Sequence, residues 1–184
     1  MSLIIKGLAT ISMLEETDGR SELYEGELRE KPAMSATHNV SGRRLRRQLE
    51  AQLDLDRFGV LSNEGHLAIP GGNSYVPDVA VVPVQMVDAL VAGRRFERYT
   101  DPLPLVVEIW SPSTGNFDID AKIPGYQARG DAEIWRLHPF ERTLTMWRRQ
   151  PDGGYVESVA TGGTVRLHAL PDVTIALDEL FVRE

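Results

Sequence analysis

The sequence predicts a domain of mixed α/β (α+β) class, in which helices flank a central mixed β-sheet. Short Val-rich runs of strand length, bounded by proline and glycine, recur along the chain and predict the sheet. Val40, Leu45, Leu49 and Leu53 repeat at helical spacing and predict the main helix. No internal repeat or long linker divides the 184 residues, so we predict one domain over residues 1–184.

The first third of the chain contains a short predicted helix over residues 11–16 and an extended segment over residues 22–30. Gly26 lies among alternating residues of that segment and indicates a hairpin or an entry into the sheet. The main helix is capped by Ser35 or Thr37 and runs to about Asp54. Its arginines at positions 43, 46 and 47 face away from the leucines, which favours a solvated face over a phosphate-binding one. Residues 58–61 and 66–69 are predicted as two strands around a turn at 63–65.

The rest of the chain supplies most of the predicted sheet. Extended runs cover residues 75–83 and 105–109, with a helix over 84–92 and a basic turn over 93–98 between them. A helix over 117–129 is predicted to be interrupted by Pro124 and Gly125. Strands follow at 133–137 and 143–147, with late extended pieces at 164–167 and 173–177 and an apolar plug at Leu180 and Phe181. The three tryptophans are interpreted as core or interface residues, not as base-stacking platforms.

Composition narrows the possible functions. Hydrophobic residues make up 42% of the chain and charged residues 26%, as in a globular protein. The absence of cysteine excludes disulfides, thiolate zinc sites and a cysteine nucleophile. The formal net charge of −7 opposes binding of DNA by bulk electrostatics, so a DNA substrate would require locally clustered basic residues. No apolar run approaches the roughly 20 residues of a membrane span. The N-terminus lacks signal-peptide features, which predicts a cytoplasmic protein without membrane contact.

Two acids lie in runs that are otherwise apolar. Asp78 follows Val76-Pro77, and Glu108 lies within Leu105–Ile109. A buried carboxylate is costly unless a cation offsets it. On neighbouring strands the two acids would form an oxygen-lined site suited to Mg²⁺ or Mn²⁺. Lys122, on the next helix, would add positive charge for phosphodiester hydrolysis.

Each of these residues also has a structural interpretation. Asp78 could cap a turn, Glu108 could pair with an arginine, Lys122 could be a solvated helix lysine, and Glu22 could be a surface acid. His38 is interpreted as a hydrogen-bonding residue at the helix start rather than as a metal ligand. A further pair of acids, Asp118 and Asp120, is interpreted as helix caps.

Several motifs in one order resemble those of the Uma-type endonuclease family, within the PD-(D/E)XK restriction-endonuclease-like superfamily. The resemblance extends from about Glu22 to Phe181. It is carried by Glu22-Leu23 with Gly26-Glu27-Leu28, Ser35-Ala36-Thr37-His38, Val76-Pro77-Asp78-Val79, the run from Val106 to Thr114, Asp118 with Lys122 and Tyr126, and Glu133-Ile134-Trp135.

The resemblance implies a restriction-endonuclease-like fold and a DNA endonuclease that depends on Mg²⁺ or Mn²⁺. Asp78, Glu108 and the carbonyl of Ile109 would bind the metal, and Glu22 would approach it directly or through water. The wider superfamily places its lysine two residues after the glutamate, which is Trp110 here, so the resemblance implies that Lys122 takes this role.

Two other functions stay open from the sequence. The same fold could be a catalytically inactive binding or assembly module, with the acids in an ion-pair network inside a dimer. The chain could also be a metal-dependent hydrolase of a small phosphoester. Sheet edges and exposed tryptophans favour a homodimer in each case.

Overall fold

The computed structural model describes residues 4–6, 9–17, 21–93 and 98–181. They form two sheets, a small two-stranded ribbon and a set of mostly short helices. Among the described residues, no helix combines the length and apolar character that crossing a membrane requires.

The first sheet is antiparallel and has the strand order β1-β3-β2-β6-β5. Its strands are β1 (Ile4–Lys6), β2 (Ser21–Tyr24), β3 (Glu27–Glu30), β5 (Leu67–Ile69) and β6 (Asn73–Tyr75). Glu25 and Gly26 join β2 to β3, and both have positive φ (49° and 75°), as a tight two-residue hairpin turn requires. Of the two possibilities predicted at Gly26, a hairpin or an entry into the sheet, the structure has the hairpin.

The second sheet is mixed and has the strand order β11-β10-β9-β8-β7-β4. Its strands are β4 (Phe58–Ser62), β7 (Val79–Pro83), β8 (Leu105–Ile109), β9 (Glu133–His138), β10 (Thr143–Arg149) and β11 (Tyr155–Ala160). Only the pair β8–β9 is parallel. A parallel pair needs a crossover connection, which the helical segment between the two strands supplies. The late predicted strands form the separate ribbon of β12 (Thr164–Arg166) and β13 (Thr174–Ala176).

Helices cover both faces of the second sheet. They are α1 (Ile11–Glu15), α2 (Ala36–Glu50), α3 (Val84–Gly93), α4 (Gly115–Phe117), a π-helical turn (Asp118–Lys122), α5 (Ile123–Arg129) and α6 (Leu177–Leu180). Helix α2 begins at Ser35, whose hydroxyl accepts the N–H of His38 at 3.2 Å. With α6 and the ribbon, α2 packs on the face that carries Val107 and Ile109. The first sheet, α3 and α5 pack on the opposite face.

The strands predicted at residues 58–61 and 66–69 do not pair with each other across the turn at 63–65, because they belong to different sheets. Strand β4 pairs with β7 in the second sheet, whereas β5 pairs with β6 in the first. The intervening turn redirects the chain through two residues of positive φ, Asn63 (53°) and Gly65 (80°). A Cβ at position 65 would lie 2.6 Å from Leu61 Cδ1, so glycine is needed there.

The run over residues 75–83 is likewise divided between the two sheets. Strand β6 ends at Tyr75 and β7 begins at Val79, so Asp78 lies at the junction and not within one continuous strand. Pro77 has no N–H to donate to a ladder, which accounts for the break. The chain therefore places Asp78 where the first sheet meets the second.

Pro124 and Gly125 do not interrupt the helix that contains Lys122, contrary to prediction. Pro124 lies in the first turn of α5, where its missing N–H costs little. Gly125 packs against the first sheet, since a Cβ there would lie 2.8 Å from Tyr75 Cε2 and 3.1 Å from Ile69 Cγ2. The irregularity lies one turn earlier, in the π-helical turn. Of the predicted basic turn, residues 94–97 lie outside the described residues.

Candidate active site

Asp78 and Glu108 meet where β7 and β8 lie side by side. The two strands pair in antiparallel register with Val79 opposite Val107, which brings Asp78 opposite Glu108. The N–H of Ile109 donates to Asp78 Oδ2 at 2.7 Å. Both side chains are buried, with relative exposures of 3% and 1%. The two acids are thus neighbours at the junction of the sheets, as the sequence led us to expect.

Lys122 reaches Glu108 and Glu22 from the π-helical turn. Its Nζ lies 2.8 Å from Glu108 Oε1 and 2.9 Å from Glu22 Oε1, and it donates to the Val76 carbonyl at 3.3 Å. Lys122 is 2% exposed, so the alternative interpretation of this residue as a solvated helix lysine is wrong. Burial alone would lower the pKa of Lys122, but the nearby carboxylates of Glu108 and Glu22 raise it well above its usual range. The lysine is therefore a fixed positive charge.

The backbone of Val76 forms hydrogen bonds with Glu22 and with both lysines of the site, Lys31 and Lys122. Its N–H donates to Glu22 Oε1 at 2.7 Å, and its carbonyl accepts from Lys31 Nζ at 2.8 Å as well as from Lys122. Glu22 is 4% exposed and lies in β2 of the first sheet. It is thus part of the site rather than a surface acid.

Asp78 is held in its ionised form by two further residues. Lys31 Nζ donates to Oδ1 at 3.1 Å, and His38 Nε2 lies 2.9 Å from Oδ2, to which it donates. Burial opposes ionisation of the carboxyl, but the charge of Lys31 and the hydrogen bond from His38 hold the pKa of Asp78 well below its usual range. His38 thus acts as the hydrogen-bonding residue that the sequence indicated, with Asp78 as its partner.

Glu108 is in a different electrostatic state. The hydroxyl of Tyr126 donates to Oε1 at 2.6 Å, beside Lys122, whereas Oε2 accepts no hydrogen bond from the residues that the structure describes. Burial raises the pKa of Glu108 to about 8; Lys122 opposes the rise, and the charges of Asp78 and Asp118 add to it. The predicted alternative partner, an arginine, is wrong: the cation is Lys122.

A pocket of about 270 Å³ opens onto these groups. It lies between the end of β3 with the loop that follows it (residues 29–34) and the helical segment after β8. Its acidic lining residues are Glu22, Glu30, Asp78, Glu108 and Asp118, and its basic lining residues are Arg29, Lys31 and Lys122. With all of them ionised, the lining would carry two negative charges in excess.

Asp118 and Lys31 are charged residues of this pocket that were not predicted as site residues. Asp118, expected to cap a helix, is 2% exposed and accepts a hydrogen bond from Thr114 Oγ1 at 3.2 Å. Burial raises its pKa to about 6. Its spacing of four residues from Lys122 was the available signal. Lys31 had none, because its contact with Asp78 joins residues 47 positions apart.

The donor set fits a hard divalent cation. Carboxylates and a backbone carbonyl are oxygen ligands of the kind that Mg²⁺ and Mn²⁺ prefer, and the excess negative charge of the lining would be neutralised by such an ion. In the parts of the chain that are described, no three His, Asp or Glu side chains converge as a ready-made metal cluster. Lys31 and Lys122 instead bind oxygens of Asp78 and Glu108.

Comparisons with known proteins agree with this architecture. The Uma2 family model, described as "Putative restriction endonuclease", matches residues 8–178. A crystal structure from Anabaena variabilis, described as a "putative nuclease belonging to DUF820", superposes with a TM-score of 0.75. That protein is 19% identical, and the match covers 93% of this chain and 94% of the other. No curated protein matches the sequence. The structural likeness confirms the predicted fold, a mixed central β-sheet flanked by helices.

Proposed function

This chain belongs to the Uma2 family of restriction-endonuclease type, and from that premise we propose that it is a divalent-metal-dependent endonuclease that hydrolyses DNA phosphodiester bonds. The observation that carries the proposal is the buried meeting of Asp78, Glu108 and Lys122 at one pocket whose lining has an excess of negative charge. Ionisation of Glu108, whose pKa is raised to about 8, adds negative charge at this buried site, and a bound Mg²⁺ or Mn²⁺ ion would offset that charge.

We assign the metal ligands to Asp78, Glu108 and the Ile109 carbonyl, with Glu22 near the ion directly or through water. When bound, the metal would lower the pKa of a water molecule and offset charge on the phosphate. Asp78 is already ionised and is oriented by the Ile109 N–H. Glu108 keeps Oε2 without a hydrogen bond from the described residues, which leaves that oxygen for the ion.

Lys122 supplies the fixed cation of the proposed reaction. Its ammonium group is held by Glu108, Glu22 and the Val76 carbonyl, so no large side-chain rearrangement is needed to keep positive charge at the pocket. Tyr126 orients Glu108 through the 2.6 Å hydrogen bond. The helical segment after β8 thereby provides the lysine that the wider superfamily carries at the position of Trp110.

We extend the proposal to the organisation of the protein. The two sheets share one apolar cluster, in which Leu67 and Tyr75 of the first sheet meet Val106 and Ile134 of the second. This shared cluster supports a single domain over residues 1–184.

A homodimer is supported by the edge strand β11, which exposes Val156 (55%) and leaves one strand edge unpaired within the described chain. A cytoplasmic location stays a prediction from the sequence.

Titration calorimetry with Mn²⁺ tests the metal site. We expect the wild type to bind Mn²⁺, and the double variant Asp78→Ala/Glu108→Ala to lose binding. The control Asp88→Ala/Asp172→Ala removes the same two charges at exposed positions outside the pocket and should bind like the wild type. Equal binding by the wild type and the site variant would remove the proposed metal site.

Cleavage of plasmid and single-stranded DNA with Mn²⁺ tests the reaction, with the same site variant as the control for contaminating nuclease. The competing function is an inactive assembly module, which is favoured by the ion pairs that Lys31 and Lys122 already make with the acids. A protein that binds no Mn²⁺ and cleaves no DNA would support that alternative. Cleavage that persists in the site variant would contradict the assigned residues.

A further inference from the structure

One cation near the candidate active site, Arg136, has no hydrogen-bond or ion-pair partner among the residues that the structure describes, although the charges of Asp118 and Glu141 act on it. Arg136 lies opposite Glu108 in the parallel pair β8–β9, so the two side chains project from the same face of the sheet. In the described part of the chain, its guanidinium makes no hydrogen bond or ion pair, and its Nε is buried without a partner. A guanidinium group without an acceptor is unfavourable, and phosphate oxygens are strong acceptors for its terminal N–H groups, which are not among the buried orphaned atoms.

Next to Glu108, a group of aromatic side chains, Trp110, His138 and Phe140, forms a surface at the end of the two strands. Trp110 lies two residues after Glu108, and its N–H still pairs with the carbonyl of Leu137, so the strand alternation places its side chain on the Glu108 face. Its ring stacks on that of His138 at 4.2 Å between centroids and 25° between planes. Phe140 meets Trp110 edge to face at 5.8 Å.

Phe140 is 58% exposed, so its ring is open to a ligand. It lies in the turn after β9, and Trp110 beside it is only partly buried. The cross-strand position of Arg136 puts its backbone about 5 Å from that of Glu108, and Trp110 follows Glu108 by about 7 Å along the strand. A cation and an aromatic surface are thus one nucleotide's length from the proposed metal ligands.

We propose that Arg136, Trp110 and Phe140 form a nucleotide subsite beside the candidate active site, which takes one phosphate and one unpaired base of a DNA strand. The subsite rests on the proposed endonuclease function and specifies its substrate as DNA with unpaired nucleotides. Aromatic rings stack on any base face, but only where that base has left the duplex stack. The interpretation of Trp110 as a core or interface residue is replaced by this role.

The net charge of −7 agrees with such a substrate better than with a long duplex. A duplex is held mainly by many phosphate contacts, which an acidic protein is poorly equipped to make. A single strand can instead be held by stacking together with a few cations. The subsite provides one such cation and a stacking surface.

Fluorescence anisotropy with a labelled single-stranded oligonucleotide and the matching blunt duplex tests the subsite, at low salt and with Ca²⁺ in place of Mg²⁺. We expect Phe140→Ala to weaken single-strand binding about fivefold or more, because stacking of one base contributes that much. Duplex binding should change little. Arg136→Gln should weaken single-strand binding and reduce its salt dependence, because one phosphate contact is lost.

Two matched controls accompany these variants. Leu55→Ala removes an apolar side chain of similar exposure (54%) near the β4 edge of the sheet, and Arg47→Gln removes an exposed charge on α2. Both should bind like the wild type. Single-strand affinity in Phe140→Ala and Arg136→Gln equal to that of the controls would overturn the subsite. If the wild type nevertheless cleaves DNA, only the subsite fails; if it neither binds nor cleaves any DNA, the proposed function fails with it.

Discussion

Replacing Lys122 by methionine tests whether the lysine is the buried counter-ion of the site. The substitution keeps the length of the side chain but leaves Glu108 and Glu22 without the ammonium group that lies 2.8 and 2.9 Å from their carboxylates. Removing one partner of a buried pair costs about 3–5 kcal/mol. For a chain of this size, we expect the unfolding temperature of the metal-free protein to fall by about 6–20 °C.

The assay is thermal unfolding followed by circular dichroism, with and without Mn²⁺. A ligand that binds only the folded state stabilises it by about 2.7 kcal/mol at a hundred times its dissociation constant. Because the variant frees carboxylate oxygens of Glu108 and Glu22, Mn²⁺ should raise its unfolding temperature more than that of the wild type. DNA cleavage should be lost all the same, since the fixed cation is gone.

Two further variants separate charge from packing. In Lys122→Met/Glu22→Gln/Glu108→Gln, the amides need no counter-charge, so most of the lost stability should return. Arg47→Met removes an exposed cation and should unfold like the wild type. If Lys122→Met unfolds at the temperature of this control, the ion pairs contribute nothing and the account of the site is wrong.

Three other outcomes follow from the structure. Between about pH 6 and pH 8, Mn²⁺ affinity measured by calorimetry should rise with pH, approaching about tenfold per unit, because the pKa of Glu108 is raised to about 8 and the ion must displace that proton; a flat profile would contradict this. Gly125→Ala should lower the unfolding temperature by about 2–12 °C, because its Cβ would press on Tyr75, whereas Gly59→Ala, with its nearest contact at 3.6 Å, should change it little. Val156→Lys should convert a dimer to a monomer in light scattering, since a lysine on an exposed edge strand discourages pairing; a wild type that is already monomeric would rule out the dimer.

Much of the site could be predicted because its acidic residues interrupt segments that are otherwise apolar. Asp78 and Glu108 lie in apolar segments, where an acid signals a compensating partner, and those segments do pair as β7 and β8. The spacing of Lys122 and Tyr126 after Asp118 resembles the family motif. Helix α2 was predicted with Ser35 or Thr37 as its cap, and Ser35 is the cap in the structure; helix signals are local and can be read from the sequence.

The remainder depended on contacts between distant parts of the chain. Strand pairing is long-range, so the sequence did not show that residues 58–62 and 67–69 enter different sheets. Lys31 reaches Asp78 only because the two sheets meet. Pro124 was interpreted as a helix breaker, although the tertiary fold uses it at a helix start and places the irregular turn before it.

The hydrogen bonds of the Val76 backbone bear on which substitutions this site can accept. Its N–H and carbonyl together orient Glu22, Lys31 and Lys122, and every residue except proline offers the same two groups. The relative positions of these charges therefore depend on the path of the main chain between the two sheets, and not on the side chain of Val76. Homologues can exchange the side chain at this position for another of similar volume and still inherit the same arrangement of charges.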